Sequence, residues 1–265
     1  MGGMSSSHYT FAGVDRAPEL ERLRRIESIF DPGSRALLEA AGLPIGGRCL
    51  EVGAGAGSIA AWLAGRVGTH GEVIAVDLDT SFLRASSIPA GVRVIEGDVC
   101  HAGLPSEHFD VVHARYVLVH NAKWQELLDT LIAALKPGGA LVLEEPDFTA
   151  AKAAAGDDHE AFDRVSAAVC AMFRSGQKDP AMGIRLPSAV EARGVEVERV
   201  VNFAPLSRGR DPVAAMMALS ATQLRAKYLA TGLVDEAELD GYLRFANDPR
   251  AWGIYYATLG VAARK

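Results

Sequence analysis

The chain has 265 residues, of which 49% are hydrophobic, and its formal net charge at pH 7 is −6. This content predicts one large domain with a substantial core, whereas the acidic balance argues against nucleic acid as a partner, and no apolar run is long enough for a membrane. The widely spaced Cys49, Cys100 and Cys170 favour a reducing, cytoplasmic location without disulfides or structural zinc.

The first predicted elements are two N-terminal helices. Apolar side chains recur at helical spacing from Pro18 to Phe30, with charged residues on the other face. Asp31 and Pro32 then supply an N-cap and a first-turn proline for a second helix, which continues through Ala41. This segment precedes the most informative stretch of the chain.

That stretch is a short strand, Arg48 to Val52, which runs into a loop with glycine at alternate positions and then into a helix near Ser58. Glycine lets the backbone adopt positive φ and lets a ligand lie against its N–H groups. Ser58 stands where the dinucleotide fingerprint G-x-G-x-x-G needs its last glycine, and Glu51 would lie close to a phosphate. A pyrophosphate is therefore a poor ligand, and a molecule with an amino group is a good one.

Further strands follow in order. The strand 72–77 ends at Asp77, about twenty residues past the glycines, where a carboxylate grips a ribose diol. Asp79 is expected to cap the next helix. Strands at 92–96, 109–115 and 140–144 come next, the last one after a helix over 123–135 and the turn Lys136-Pro137-Gly138-Gly139.

These landmarks resemble the class I, Rossmann-like S-adenosylmethionine-dependent methyltransferases, in the ubiquinone/menaquinone-biosynthesis-like branch that acts on small molecules. The resemblance rests on the pattern E/D-x-G-x-G-x-G from Glu51, on Asp77, on Gly97-Asp98, and on the L-K-P-G-G turn before Glu144-Glu145, and it covers residues 48–149. It implies S-adenosylmethionine as the cofactor and no metal. The implied cofactor-binding residues are Glu51, Gly53, Ala54, Gly55, Gly57, Asp77, Leu78, Asp98, Val99, Ala114, Arg115 and Tyr9.

The resemblance also implies the fold. We expect an α/β domain with a doubly wound, mostly parallel seven-stranded sheet whose last strand is antiparallel, plus a helical cap from the N-terminus and from insertions after strands five and six. The single domain, 1–265, would comprise lid helices at 5–42, a cofactor-binding core at 46–149 and an acceptor-side cap at 150–185 and 211–249. The remaining predicted elements are helices at 157–174, 187–193, 212–230 and 235–247 and strands at 195–203 and 253–263.

Methyl transfer from a sulfonium is an in-line displacement, so the protein must align the nucleophile, the methyl carbon and the sulfur and exclude water. A neutral hydroxyl or amine benefits from a base. His120, after strand four, and Glu145 and Asp147, after strand five, are candidates, with loop hydrogen bonding or helix capping as alternatives. Arg115 is expected to hold an acceptor anion or the cofactor carboxylate, and Tyr116 to line the pocket, with surface pairing as the alternative.

Two N-terminal aromatic side chains have two interpretations each, and one histidine has a structural interpretation. Tyr9 and Phe11 either close over the sulfonium by cation–π contact or pack beneath the lid helix, and His113 is expected to be a satisfied core histidine. Methionine and phenylalanine side chains in the cap favour an acceptor with hydrophobic or aromatic surface.

We therefore predict C- or O-methylation of a small, natural-product-like acceptor by a monomer or homodimer. A protein that binds S-adenosylmethionine without methylating, or a cyclisation enzyme on the same fold, is the alternative. A nicotinamide-dependent oxidoreductase is disfavoured because the G-x-G-x-x-G frame is missing.

Overall fold

The computed structural model describes residues 9–86 and 88–265. Its strands are β1 (Arg48–Val52), β2 (Glu72–Asp77), β3 (Val92–Glu96), β4 (Phe109–Arg115), β5 (Leu135–Asp147), β6 (Lys152–Ala155), β7 (Glu196–Phe203), β8 (Ser207–Arg208), β9 (Trp252–Ile254) and β10 (Ala257–Arg264). Seven of them form one sheet in the order β3-β2-β1-β4-β5-β10-β7. Strands β1 to β5 are parallel, and β10 is antiparallel to both of its neighbours. The predicted doubly wound, mostly parallel sheet is confirmed.

The helices are α1 (Arg16–Ala40), α2 (Ser58–Val67), α3 (Ser81–Ala85), α4 (Trp124–Ala134), α5 (His159–Ser175), α6 (Met182–Glu191), α7 (Pro212–Gln223), α8 (Arg225–Leu229) and α9 (Glu236–Asn247). Helices cover both faces of the sheet, so consecutive residues of the central strands are buried rather than alternate ones. Leu50 of β1 pairs with Ile74 of β2 and Val112 of β4, and all three are fully buried. This register aligns the carboxyl ends of the three strands at one edge.

The prediction of two N-terminal helices is wrong, because α1 runs unbroken with Pro32 inside it. A proline inside a helix removes one backbone hydrogen bond. Phe30, before the proline, and Leu37, after it, are both buried against the sheet. Burial of the whole apolar face therefore stabilises one continuous helix. Asp31, predicted as an N-cap, lies in its interior.

Other boundaries also differ from the predictions. Strand β5 begins at Leu135 instead of Ala140, since the predicted turn forms an irregularity within the strand: Phe109 pairs with Leu135, but Val111 pairs with Ala140. Helix α6 begins before Pro187, the predicted helix 212–230 is divided at Leu224, and the predicted strand 253–263 is divided into β9 and β10. Strand β9 joins β6 and β8 in a three-stranded sheet that was not predicted.

The segments 150–185 and 211–249 form a helical layer near the carboxyl end of β5. Phe162 of α5 packs against Tyr242 and Phe245 of α9, with ring centroids 5.6 and 4.8 Å away. Phe173, also in α5, stacks on Phe148, directly after β5, at 5.0 Å. Within the described residues, no helix is both long and apolar enough to cross a membrane.

Candidate active site

The glycine loop between β1 and α2 has the backbone conformation that the sequence predicts. Gly53, Gly55 and Gly57 have φ values of 69°, 55° and 97°, in the left-handed region that side chains disfavour. A Cβ atom on Gly53 would lie 2.4 Å from the side chain of Val117, and one on Gly57 would lie 2.4 Å from that of Ile88. Both positions therefore exclude a side chain by conformation and by space.

Asp77, at the end of β2, stabilises this loop by a hydrogen bond. Its Oδ2 accepts a hydrogen bond from the Gly55 N–H at 2.8 Å, and its Oδ1 accepts one from the Asp79 N–H at 3.0 Å. Burial raises the pKa of Asp77, and these backbone bonds oppose the rise. A carboxylate has about four lone-pair sites, so lone pairs remain for a ribose diol. Asp79 accepts from the Ser81 N–H at 2.9 Å and caps α3, as predicted.

The neighbouring positions give the rest of the predicted nucleoside site. Leu78, directly after β2, is 51% exposed, unusual for a leucine, and offers an apolar surface. The Gly97 N–H donates to the Asp77 carbonyl at 2.8 Å, which holds the loop after β3 beside Asp77. Asp98 accepts from the Cys100 N–H at 2.9 Å, and Val99 is buried. Asp77, Leu78 and Asp98 thus lie on adjacent loops at the same edge of the sheet.

A buried carboxyl–imidazole–carboxyl group lies beneath the loop. His113 contacts Glu51 at 2.6 Å through Nδ1 and Glu144 at 3.0 Å through Nε2. Burial lowers the pKa of His113, but the two carboxylates outweigh burial and raise it to about 9. His113 is thus a protonated core histidine. Only Oε2 of Glu51 is engaged, and Oε1 accepts no hydrogen bond within residues 9–86 and 88–265, which leaves it for a ligand's amino group.

Arg115, at the end of β4, links the sheet to α1. Its guanidinium donates to Ser34 Oγ at 2.7 Å and to Asp31 Oδ1 at 3.0 Å, and the side chain is 9% exposed. It is therefore in a buried ion pair, not the surface pair considered from the sequence. Ala114, the preceding residue, is fully buried in the strand.

Tyr116 follows in a strained conformation, with φ of 58° although it is not glycine. Its N–H donates to the Glu144 carbonyl at 2.8 Å, and its hydroxyl lies 2.6 Å from Thr258 Oγ1. Such strain persists only where the surroundings impose it, and it concentrates at functional sites. The strained residue turns the chain from β4 into the short 3₁₀ turn Leu118–His120.

Glu145 supports that turn. Its carboxylate is fully buried and accepts from the N–H groups of Val117, Leu118 and Val119 at 2.7–3.0 Å. Burial raises the pKa of Glu145 to about 8, against the effect of these hydrogen bonds. Asp147 similarly accepts from the Thr149 N–H at 2.9 Å. Both arrangements favour the capping alternative.

His120 has the environment of a neutral imidazole. Its Nδ1 lies 2.9 Å from Thr10 Oγ1, and its ring meets that of Tyr9 edge-on at 5.1 Å. Burial, and next the charges of Arg22 and of two lysines, lower the pKa of His120 well below its ordinary value. A neutral imidazole can accept a proton, but the burial and the cations that keep it neutral also disfavour the imidazolium, which makes His120 a weak base.

The N-terminal aromatics lie under α1. The Arg22 guanidinium stacks 3.7 Å from the Phe11 ring centroid, and its Nη2 donates to the Tyr9 hydroxyl at 2.8 Å. That hydroxyl donates to Glu19 Oε1 at 3.0 Å. The cation over Phe11 is thus an arginine, which favours packing beneath the lid helix for that residue.

These rings continue into an aromatic cluster that sequence reasoning did not assemble. Neighbouring centroids are 5.0–6.2 Å apart along the series His120, Phe173, Phe148, Tyr256, Tyr116 and Phe30. Its members come from α1, the turn after β4, the end of β5, α5 and the approach to β10. No local periodicity signals such a cluster, because its members meet only through the topology.

The comparisons with known proteins concern the domain as a whole. The profile described as "Methyltransferase domain" matches residues 50–143. A ubiquinone/menaquinone biosynthesis C-methyltransferase of Azotobacter vinelandii is 24% identical, over 53% of this chain and 65% of its own length. Another, from Ectopseudomonas mendocina, is 29% identical over 42% and 46%. The chain thus spans less than two thirds of the length of these curated relatives.

Solved structures agree on the fold. A provisionally assigned methyltransferase from Bacillus halodurans superposes with a TM-score of 0.60 at 19% identity, covering 88% of this chain and 99% of that one. The (4+2)-cyclase SpnF superposes with a TM-score of 0.53 at 18% identity, covering 89% and 80%. Residues 50–143 thus match a methyltransferase domain, and about half of the chain is similar to the ubiquinone/menaquinone C-methyltransferases, which together support a class I S-adenosylmethionine-dependent methyltransferase.

Proposed function

We propose that the protein transfers the methyl group of S-adenosylmethionine to carbon or oxygen of a small organic acceptor with aromatic or hydrophobic surface. The observation that carries the proposal is the glycine loop, with three left-handed glycines, braced by Asp77 and lying next to Glu51. The acceptor class rests on the aromatic cluster around Tyr116 and His120. A natural-product-like acceptor fits this apolar lining.

The binding roles follow from position. The Gly53 to Gly57 backbone lies against the cofactor in this proposal, with the N–H groups of its three glycines held by bonds within the protein. Glu51 Oε1 accepts from the amino group of the cofactor, and Asp77 holds its ribose. Leu78 packs on the adenine, and Asp98 and Val99 read the edge of that base. The methionine part of the cofactor lies next to Tyr9 and to Ala114 and Arg115 at the end of β4.

The proposed chemistry needs little from the protein beyond alignment and a proton acceptor. S-adenosylmethionine supplies a methyl group already activated by its sulfonium. His120 is the proposed base, because its imidazole is neutral and lies beside the aromatic cluster. Arg115 and Glu145 act as positioning residues in this proposal, since one fixes α1 to β4 and the other fixes the turn that carries His120.

Isothermal titration calorimetry with S-adenosylhomocysteine tests the cofactor site. We expect the purified protein to bind it, and Asp77→Ala to weaken binding by about tenfold or more, because a charge-assisted contact of ~1.5–3 kcal/mol is lost. Asp79→Ala is the matched control: it removes a neighbouring carboxylate that caps α3, and we expect little change in affinity. No binding by the unmodified protein, or equal affinities in all three proteins, would contradict the proposal.

A non-methylating enzyme on the same scaffold, such as a cyclase, is the second candidate. The superposition with SpnF supports considering it, since that neighbour is named as a cyclase. Incubation with methyl-labelled cofactor and a panel of aromatic acceptors separates the candidates. Label that moves to an acceptor supports transfer, whereas a changed acceptor without label supports cyclisation.

A further inference from the structure

Three ionisable side chains meet on one face of the central sheet, beneath the glycine loop. Glu51 of β1 lies opposite His113 of β4 in the strand register, and Glu144 belongs to β5, the strand on the other side of β4. His113 contacts Glu51 at 2.6 Å and Glu144 at 3.0 Å, through its two different ring nitrogens. The imidazole is fully buried, and the two carboxyl side chains are nearly so. The three side chains therefore form a buried row from β5 to β1, the strand that runs into the glycine loop.

The stability of the sheet does not require such a row. Neighbouring positions of the same strands, Leu50, Val112 and Leu143, are fully buried apolar residues. A buried ion pair costs the desolvation of both charges, and apolar residues of similar volume often stabilise a fold as well or better. The row is therefore better explained by what it presents to a ligand than by packing.

The Glu51 end of the row has a free acceptor atom. Glu51 uses Oε2 for His113, and its Oε1 accepts no hydrogen bond in the part of the chain that the structure describes. Because the carboxylate is planar, the bond that holds Oε2 also restricts the position of Oε1. Glu144 holds the opposite nitrogen of the imidazole and so restricts the ring itself. The row thus orients the oxygen atom that the proposed function assigns to the amino group of the cofactor.

The imidazole also governs the charge of Glu51. Burial raises the pKa of Glu51, and the charge and hydrogen bond of His113 oppose that rise. Burial acts in the same direction on Glu144, but the hydrogen bond and charge of His113 outweigh it and lower that pKa. Without the imidazole, two carboxyl groups would share one buried site, and one of them would take up a proton. Glu51, whose pKa is already raised, is the one that would lose its charge.

Arg115 also faces the row, from the end of β4. It lies opposite Glu144 in the strand register, and its charge lowers the pKa of both carboxyl groups. Its guanidinium is bonded to Asp31 of α1 at 3.0 Å, and Asp31 also pairs with Arg35. Cys49 of β1 stays a neutral thiol, because burial raises its pKa to about 12. A protonated imidazole between two carboxylates leaves the row itself with one net negative charge, which matches an ammonium group.

We propose that His113 and Glu144 are positioning residues for the cofactor, which hold Glu51 as an oriented carboxylate whose Oε1 binds the ammonium group of S-adenosylmethionine. This inference rests on the proposed function and assigns two further residues to the same site. Its consequence is that the contribution of the amino group to cofactor affinity depends on His113.

The test is a calorimetric comparison of two ligands from pH 6 to 8: S-adenosylhomocysteine and its analogue in which hydrogen replaces the amino group. The unmodified protein should prefer S-adenosylhomocysteine by about tenfold or more, because only that ligand makes the charge-assisted bond to Glu51. The ratio of the two affinities should change little over this range, since the pKa of His113 is about 9. Glu145 and Lys178, whose pKa values are both about 8, affect both ligands alike and cancel in the ratio.

Three variants separate the role of the row from general damage. His113→Gln should abolish the preference at pH 6, where Glu51 takes up a proton, and should regain part of it as the pH rises to 8. Glu144→Gln leaves the bond between His113 and Glu51 and should lose less of the preference. His108→Gln is the matched control: it removes an imidazole that lies 2.9 Å from Glu72 at the other end of β4, and it should keep the full preference.

The outcomes distinguish the two proposals. An unmodified protein that does not bind S-adenosylhomocysteine contradicts the proposed function. Binding without a preference for the amino group overturns the inference, and so does a His113→Gln variant that keeps the preference at pH 6 or loses affinity for both ligands by the same factor. Full preference in Glu144→Gln also counts against the inference, even if His113→Gln does not fold.

Discussion

Raising the pH from 6 to 9.5 removes a proton that the fold holds on His113, between Glu51 and Glu144. The pKa of this imidazole is about 9 in the folded protein, against an ordinary value of 6.5. A group whose pKa is raised by folding contributes stability that is fully present below pH 6.5 and is lost as the pH rises through 9. The difference between the two pKa values corresponds to about 3 kcal/mol in the free energy of unfolding.

Urea denaturation of the unmodified protein and of His113→Gln, at half-unit intervals from pH 6 to 9.5, measures this contribution. Glutamine keeps hydrogen-bonding capacity but does not titrate. The free energy of unfolding of the variant should therefore change less with pH than that of the unmodified protein. Glu145 and Lys178 titrate in both proteins and cancel in the difference. We expect the difference in unfolding free energy to be largest near pH 6 and to shrink by about 3 kcal/mol by pH 9.5.

The matched control is His108→Gln, at the other end of β4, whose imidazole lies 2.9 Å from Glu72 and is 25% exposed. That substitution should change the free energy of unfolding by under about 1 kcal/mol, because an ion pair partly open to solvent contributes little. If the free energy of unfolding falls equally in the unmodified protein and in His113→Gln as the pH rises from 6 to 9.5, His113 is not protonated in the folded protein.

Two substitutions test the packing that surrounds the site. Gly57→Ala should lower the free energy of unfolding by about 1–3 kcal/mol, because φ is 97° and the new Cβ would lie 2.4 Å from Ile88; Gly65→Ala, within α2 and with open space, should leave it unchanged or raise it slightly. Arg115→Gln should cost about 1.5–3 kcal/mol, since it removes the buried charge-assisted bonds to Asp31 and Ser34 while Asp31 keeps Arg35 as a partner. Lys123→Gln, in an exposed pair, should cost under about 1 kcal/mol. Urea denaturation at pH 7 measures all four, and equal effects within either pair would contradict the packing argument.

The cofactor half of the chain could be predicted closely from sequence, and the reason is local. Strands β1 to β4 are short apolar runs bounded by glycine or by polar residues, and their observed bounds equal the predicted ones. The positive φ of Gly53, Gly55 and Gly57 also follows from residue type alone. Binding by the predicted cofactor residues stays a prediction.

The acceptor half depends on contacts that no local pattern encodes. Strands β6, β8 and β9 have two to four residues, too few for a period to be recognised. Thr10, Lys178 and Lys227 are separated by 168 and 217 positions and meet only through the fold. Glu145 illustrates the same limit, because a carboxylate after a strand is equally consistent with a base and with the cap that its three hydrogen bonds form.

The unbroken course of α1 explains how that helix reaches the glycine loop and β4 together. A Cβ on Gly55 would lie 3.6 Å from Leu23, Glu27 accepts from the Ser58 N–H at 3.1 Å, and Arg115 donates to Asp31 and Ser34. Positions 23, 27, 31 and 34 recur at helical spacing, so they share one face only while the helix is continuous. A break at Pro32 would turn Ser34 away from the face that carries Leu23. Burial of the apolar face across Pro32 therefore keeps α1 in register with the glycine loop and β4.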